Sequence, residues 1–324
     1  MKKDTIDLES YKYDLGRIDE ALVSLLNSNG TAIKDVINWS ILKNKQKLRA
    51  LFFVISCQLC NYGEKNVYQL STIFEYIQVA SMLHEDILDN ADIKGENNAD
   101  NHLCGNDKVL LEGNFLYSKA ANIAVDSNNF LFLKKVMDTT TQITEGQILE
   151  MIHKGDWSTD SEQYMNIFTS KSALLLSAAC TCGAIIAGSD GVVEKSLEKF
   201  GMNVGIALQL KEDLTKYRSL KGVIEETDIK DLKEGKITLP LIYTLATLEE
   251  AERERFAELH RNNHATLSDY GDLLRLVNNN GSLDQIMSEA RSYIDEATSC
   301  LNTIPDSSLK NDFLELARHI IEKE

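Results

Sequence analysis

Leu83-His84-Glu85-Asp86-Ile87-Leu88-Asp89 closes an apolar run in which Leu70, Ile73, Phe74, Ile77 and Ala80 recur at helical spacing. The spacing predicts one helix over 66–93 that turns polar at its end. Positions four and seven apart share a helix face, so Glu85, Asp89 and Asp92 form one acidic stripe with Asp86 beside it. Carboxylates crowded at the end of an apolar helix call for a cation. Hard divalent ions such as Mg²⁺ take oxygen ligands and share them with substrate phosphates. The stripe reads either as such a metal site or as a solvated acidic turn.

The rest of the chain is consistent with long helices. Two prolines, Pro240 and Pro305, and 17 glycines over 324 residues leave few breaks, which argues against a many-turned β protein. Hydrophobic content of 43% and charged content of 26% are those of a soluble globular chain with a sizeable core. A net charge of −16 disfavours nucleic acid and anionic membrane as partners. An anionic substrate would need a local basic site or a bound metal. The segment Met1-Lys2-Lys3-Asp4 does not open an apolar signal core, and no apolar stretch reads as a bilayer span, so a cytoplasmic protein is expected. Cysteines 57, 60, 104, 180, 182 and 300 lie mostly in apolar runs. Cys57 and Cys60 have CxxC form, but no second pair stands at zinc-ligand spacing, so reduced core thiols are expected.

Further helices are predicted over 11–28, 46–61, 109–124, 130–152, 161–187, 191–220, 248–261, 266–279, 283–302 and 307–323. With no strand signal, repeat or domain boundary, residues 1–324 read as one all-α, single-domain bundle. Three polar features stand out along it. Lys43 to Arg49 opens the helix at 46–61 with a basic cluster, either a phosphate site or a solvated first turn. Lys171 is the only charge in the middle of 161–187, either snorkelling or serving as a phosphate-binding point charge. Gln209-Leu210-Lys211-Glu212-Asp213-Leu214-Thr215-Lys216 forms a second acidic turn, in which Glu212 and Lys216 are also placed to pair on the surface.

In order, these pieces resemble the trans-isoprenyl diphosphate synthases, or polyprenyl synthetases. The resemblance runs from about 43 to 245 and rests on Lys47-Leu48-Arg49, Leu83 to Asp89, Gly105 through Gly113-Asn114-Phe115-Leu116, Glu145-Gly146, Lys171-Ser172, Gly205 to Asp213 and Asp231 to Pro240. It implies an isoprenoid-synthase bundle around a deep central cavity, usually dimeric, with two acidic turns facing each other across the mouth. By resemblance, Glu85, Asp86, Asp89, Glu212 and Asp213 are metal ligands for Mg²⁺. The substrate-binding set is Gln46, Lys47, Arg49, Gln78, Lys94, Lys171, Ser172, Gln209 and Lys236, and the catalytic set is Asp86, Asp89, Lys171 and Lys236. The implied reaction ionises an allylic prenyl diphosphate and joins it to isopentenyl diphosphate, with electrostatics as the main catalytic effect.

The departures from the family pattern concentrate in two places. Glu85 stands for the leading Asp of the first motif, and its following arginines reduce to Lys94. Gln46 and Gln78 stand for the Lys and His of the isopentenyl-diphosphate site, while Lys47 and Arg49 are kept. In the second motif Lys216 replaces the third Asp, and Glu226 replaces the lysine that follows. A cation at 216 weakens or replaces one metal. Three readings follow: a diverged chain-elongating synthase, an enzyme with another acceptor or a cyclase, and a non-catalytic partner subunit that assembles with another prenyl synthase. His84 is expected to orient carboxylates. Small residues at Ala80 and Ser81, where the family places bulky floors, imply a product longer than fifteen carbons, with Phe74 as a deeper floor.

Overall fold

The computed structural model describes residues 11–26, 47–91, 106–218, 225–226, 228–262 and 264–322, without the side chains of 25, 26 and 89–91. Every regular element among them is helical: α1 (Lys12–Leu26), α2 (Leu48–Leu59), α3 (Val67–Ala91), α4 (Asn106–Asp126), α5 (Phe130–His153), α6 (Ser161–Phe168), α7 (Leu174–Ile186), α8 (Gly191–Arg218), α9 (Lys230–Lys233), α10 (Leu239–Ala246), α11 (Glu250–Arg261), α12 (Leu267–Asn279), α13 (Ser282–Cys300) and α14 (Ser308–Glu322). The all-α expectation therefore holds.

Local chemistry starts several of these helices where the chain turns. Asp160 and Gln163 make a capping box at α6, Thr266 and Asp269 make another at α12, and Asn129 caps α5 by accepting from the Phe132 N–H at 3.0 Å. The centre is α2 packed between α3 and α7, with α8 on the far side of α7. Residues 50–57 of α2 are all inaccessible, and Phe52, Phe53, Phe74, Phe132, Phe200 and Phe313 meet around them. Each such side chain contributes about 1.5–3 kcal/mol by leaving water. Cys57, Cys180 and Cys182 lie in this core, and burial pushes their thiols up, so they fit the expected reduced core thiols.

Two expectations change. The run 161–187 is not one α-helix. A π turn, Thr169–Ala173, separates α6 from α7 and carries Lys171 and Ser172. Gly146 of α5 and Gly205 of α8 clamp it. A Cβ at Gly146 would lie 3.0 Å from the Lys171 backbone nitrogen, and one at Gly205 would lie 2.7 Å from Ala173 Cα. Ser161–Ile186 is also long and apolar enough, by length and composition, to cross a membrane. Its most apolar window is 61% buried inside the bundle and packs on α2, α5 and α8, which is the placement of a core helix.

Candidate active site

Lys171 leaves the π turn between two carboxylates. Its ammonium contacts Glu85 of α3 and lies 2.6 Å from Glu150 Oε2 of α5. Only 14% of the side chain is exposed, so it does not snorkel. Burial works to lower its pKa, but the Glu150 and Glu85 charges outweigh it and hold the ammonium above its ordinary range.

A second polar cluster lies at the second acidic turn. Tyr164 of α6 donates its hydroxyl to Asp213 Oδ2 of α8, and burial followed by the Asp213 charge pushes the phenol well above its ordinary range. Asp213 is 2% exposed at its side chain, and burial pushes its carboxyl up against the pull of Lys216, Tyr164 and Gln209. Lys216 Nζ lies 3.9 Å from Asp213 Oδ1 and 3.3 Å from Asp231 Oδ2. Lys236 lies 3.8 Å from Asp231 Oδ1 and 3.5 Å from Glu234 Oε2. Acid and base thus alternate from Asp213 through Lys216 and Asp231 to Lys236 in the loop before α10. Two surface clefts, one beside Arg255 and Asp272 and one beside Lys199 and Asp295, include no residue of either cluster.

A second arm reaches the same turn from α2. Glu212 is exposed, yet protein crowds its inner side. Desolvation pushes its carboxyl up, with Asp213, while Arg49, Lys216 and Lys211 pull it down. Arg49 and Gln78 are half-buried. Lys47 is buried, and its ammonium pairs with Asp19 of α1 rather than standing as a solvated first turn. Asp86 is exposed, Ser172 is half-buried, and Gln209 bonds the Asp213 carboxylate. Gln46, Asp92 and Lys94, and the side chain of Asp89, lie outside the described residues.

The proposed floor residues are all buried. Phe74 packs on Phe53 with ring centroids 5.2 Å apart, and Ala80 is inaccessible. Ser81 does not face open space, because Gln147 of α5 donates to its carbonyl at 3.0 Å and to its hydroxyl at 2.9 Å. His84 differs from expectation. Its ring stacks beside Tyr117 and occupies the space left by Gly113, with Nε2 3.4 Å from the Leu110 carbonyl oxygen, so it joins α3 to α4.

Among the described residues no three acidic, His or Cys groups form a metal cage on their own. The donor set nevertheless suits a hard divalent ion that shares ligands with a bound phosphate. It is all oxygen, and two carboxylates already converge on one cation, the Lys171 ammonium.

A family model described as polyprenyl synthetase matches residues 31–277. The chain belongs to the polyprenyl synthetase family. That match is wider than the span 43–245 that carries the resemblance in sequence. The chain is 27% identical to the octaprenyl diphosphate synthase of Escherichia coli (strain K12) over 313 residues, covering 96% of each. It is 20% identical to heptaprenyl diphosphate synthase component 2 of Geobacillus stearothermophilus over 311 residues, again covering 96% of each. The fold matches that of a polyprenyl synthase from Caulobacter crescentus CB15 complexed with calcium and isoprenyl diphosphate, with a TM-score of 0.86 at 25% identity, covering 98% of this chain and 96% of that one.

Sequence reading of this polyprenyl synthetase missed Glu75, Glu150, Tyr164 and Gln147, and gave Asp231 no role beyond the motif it opens. Glu150 carried a usable signal: it lies four residues after Gly146, one helical turn from the clamp on the Lys171 turn. Tyr164 carried none, because its partner Asp213 is 49 residues away.

The sign of the Asp213 shift gives a prediction. A carboxyl raised in the fold contributes its stability below the ordinary carboxylate range and loses it as pH rises through the folded value. This contribution is therefore largest at acid pH and falls as the pH rises. Asp213→Asn should raise the metal-free melting temperature at pH 7 by about 2 °C and cut activity. Calorimetric melts at pH 4 and pH 7 check it, and a variant that melts lower at pH 7 refutes it.

Proposed function

We propose that this polyprenyl synthetase is a chain-elongating prenyltransferase that joins an allylic prenyl diphosphate to isopentenyl diphosphate and makes a product longer than fifteen carbons. The observation that carries this reading is the Lys171 ammonium, which pairs with Glu85 of the first acidic turn and with Glu150 from a π turn packed against α8, the helix of the second acidic turn. A cation among carboxylates there supplies the charge of both signs that a diphosphate leaving group needs. Glu85, Asp86 and Asp89, with Glu212 and Asp213, would hold Mg²⁺, and a bound Mg²⁺ would neutralise the departing diphosphate. Lys171, Ser172 and Lys236 would bind that diphosphate, with Gln209 bracing Asp213. Arg49 and Gln78, with Gln46, Lys47 and Lys94, would hold the diphosphate of the five-carbon partner. The pairing of Lys47 with Asp19 leaves Arg49 the main cation of that group.

The test is product analysis with labelled isopentenyl diphosphate and ten- and fifteen-carbon allylic diphosphates over a range of Mg²⁺. Metal-dependent long-chain product is expected. Diphosphate release without the five-carbon partner would favour another acceptor, and no release under any condition would sink the catalytic reading.

The hydrocarbon tail is assigned to the α3 face bearing Ser81, Ala80 and Phe74. Phe74→Ala should lengthen the product and, because the ring is fully buried, cost about 3–5 kcal/mol of stability. Unchanged product length in the folded variant would remove Phe74 as the floor.

Assembly as a homodimer is part of the same proposal. Leu111 of α4 and Phe130, Leu131, Met151 and Ile152 of α5 are all more than half exposed. A homodimer would bury these apolar side chains. Sedimentation should give twice the monomer mass; a monomer that gains mass only with a second synthase subunit would favour a mixed assembly, as the name of the Geobacillus relative suggests. The core placement of Ser161–Ile186 supports a cytoplasmic location.

A further inference from the structure

We infer that Glu75 is a positioning residue for Arg49, and through it a determinant of affinity for the five-carbon diphosphate. The inference rests on the assignment of Arg49 to that diphosphate in the proposed function.

Glu75 lies inside the apolar stretch of α3 and is 1% exposed. A carboxylate there is costly unless it is paired and hydrogen-bonded. Its Oε1 accepts from the Ala50 N–H at 3.1 Å, and the Arg49 N–H also bonds it. Glu75 thus satisfies the free donors at the start of α2 from 25 residues away. The residue in the local capping position does not. Lys47 makes no side-chain cap and stands at φ 40°, ψ 38°, a region that non-glycine residues seldom occupy.

Three constraints therefore meet at residues 47–50: the left-handed backbone of Lys47, its buried ammonium on Asp19, and the Glu75 carboxylate. Between them sits Arg49, whose buried Nε has no hydrogen-bond partner among the described residues. Burial pushes the Glu75 carboxyl up, and Arg49, followed by the Ala50 N–H, Lys47 and the Arg49 N–H, pulls it down. The Arg49 charge also pulls down the Glu212 carboxyl in the second acidic turn. Capping alone needs only a neutral oxygen, which Ser, Thr or Asn supplies at lower desolvation cost. What the carboxylate adds is a charge-assisted hold on the Arg49 and Ala50 N–H groups, which fixes where the Arg49 side chain leaves α2. That hold matters here because Gln78 stands where the resemblance expects a histidine, leaving Arg49 fewer helpers.

Glu75→Gln keeps the size and an acceptor for the Ala50 N–H while removing the charge. It should raise the KM for isopentenyl diphosphate about tenfold, with kcat and the allylic KM within about twofold. The Glu75→Gln, Arg49→Gln double variant should be no worse than Arg49→Gln alone. Equal changes in both KM values and kcat, an unchanged KM for the five-carbon substrate, or additive losses would overturn the inference. Should the variant not fold, hydrogen exchange on the wild type serves instead. Isopentenyl diphosphate should slow exchange at the Arg49 and Ala50 amides, and no ligand-specific slowing would overturn the inference. Calorimetric titration separates the two readings. A wild type that binds no isopentenyl diphosphate overturns the Arg49 assignment and this inference together, whereas equal binding by wild type and Glu75→Gln overturns this inference alone.

Discussion

Lys171→Met should lower the rate of condensation by on the order of 10²–10³ and increase the stabilisation that Mg²⁺ confers on the fold. The rate loss follows from removing the cation held between the first acidic turn and α5. The metal effect follows from what is left behind. In the wild type the Lys171 ammonium contacts Glu85 and lies 2.6 Å from Glu150, so a divalent ion that takes those carboxylates must displace it. In the variant two carboxylates face each other without compensation, and the metal-free fold loses about 1–3 kcal/mol, between the ranges for exposed and buried pairs. A cation binding there relieves that repulsion, so the melting-temperature rise on adding Mg²⁺ should exceed that of wild type. Melts with and without Mg²⁺ check this independently of turnover. An equal rise in both proteins would mean that Lys171 does not stand where the cation binds.

Lys216→Asp should lower the Mg²⁺ concentration for half-maximal activity about tenfold, equivalent to about 1.4 kcal/mol. The native ammonium lies 3.9 Å from Asp213 and 3.3 Å from Asp231, so it neutralises carboxylates that a metal would otherwise occupy. Reversing its charge removes that competitor and adds an oxygen donor. Without metal the same change should destabilise the chain, because Asp213 is buried and loses its nearest cation. The pairing of lower stability without Mg²⁺ and greater sensitivity to it is the expected signature. If the Mg²⁺ dependence does not move, the second acidic turn of this chain takes no metal, and Lys216 serves in its place.

Both expectations use residues that sequence reading had singled out, but through pairings it had not. Lys171 was visible as one charge in an apolar run, and Lys216 as a cation where an acid was expected. The pairings were not visible, because Glu150 is 21 residues from Lys171 and Asp231 is 15 residues from Lys216. Helical periodicity reports which residues share a face of one helix. It says nothing of which neighbouring helix that face meets. The π turn was hidden for a related reason. Thr169 to Ala173 has no breaker, and the extra residue in the turn is stabilised by close approach to Gly146 and Gly205 on two other helices. The role expected for His84 fails on the same ground. Adjacency to Glu85 in sequence suggested a carboxylate partner, whereas the ring fills the gap over Gly113 of α4.

By itself the sequence determined the all-helical architecture, because local spacing of apolar residues and scarcity of breakers are properties of the chain alone. It also determined the family, because short motifs keep their order along the chain. Only the tertiary structure decided that Lys171 is shared between Glu85 and Glu150, that Asp213 is buried under Tyr164, and that Glu75 holds the start of α2. These are long-range electrostatic pairings in a low-dielectric interior, and their existence depends on which helices pack together.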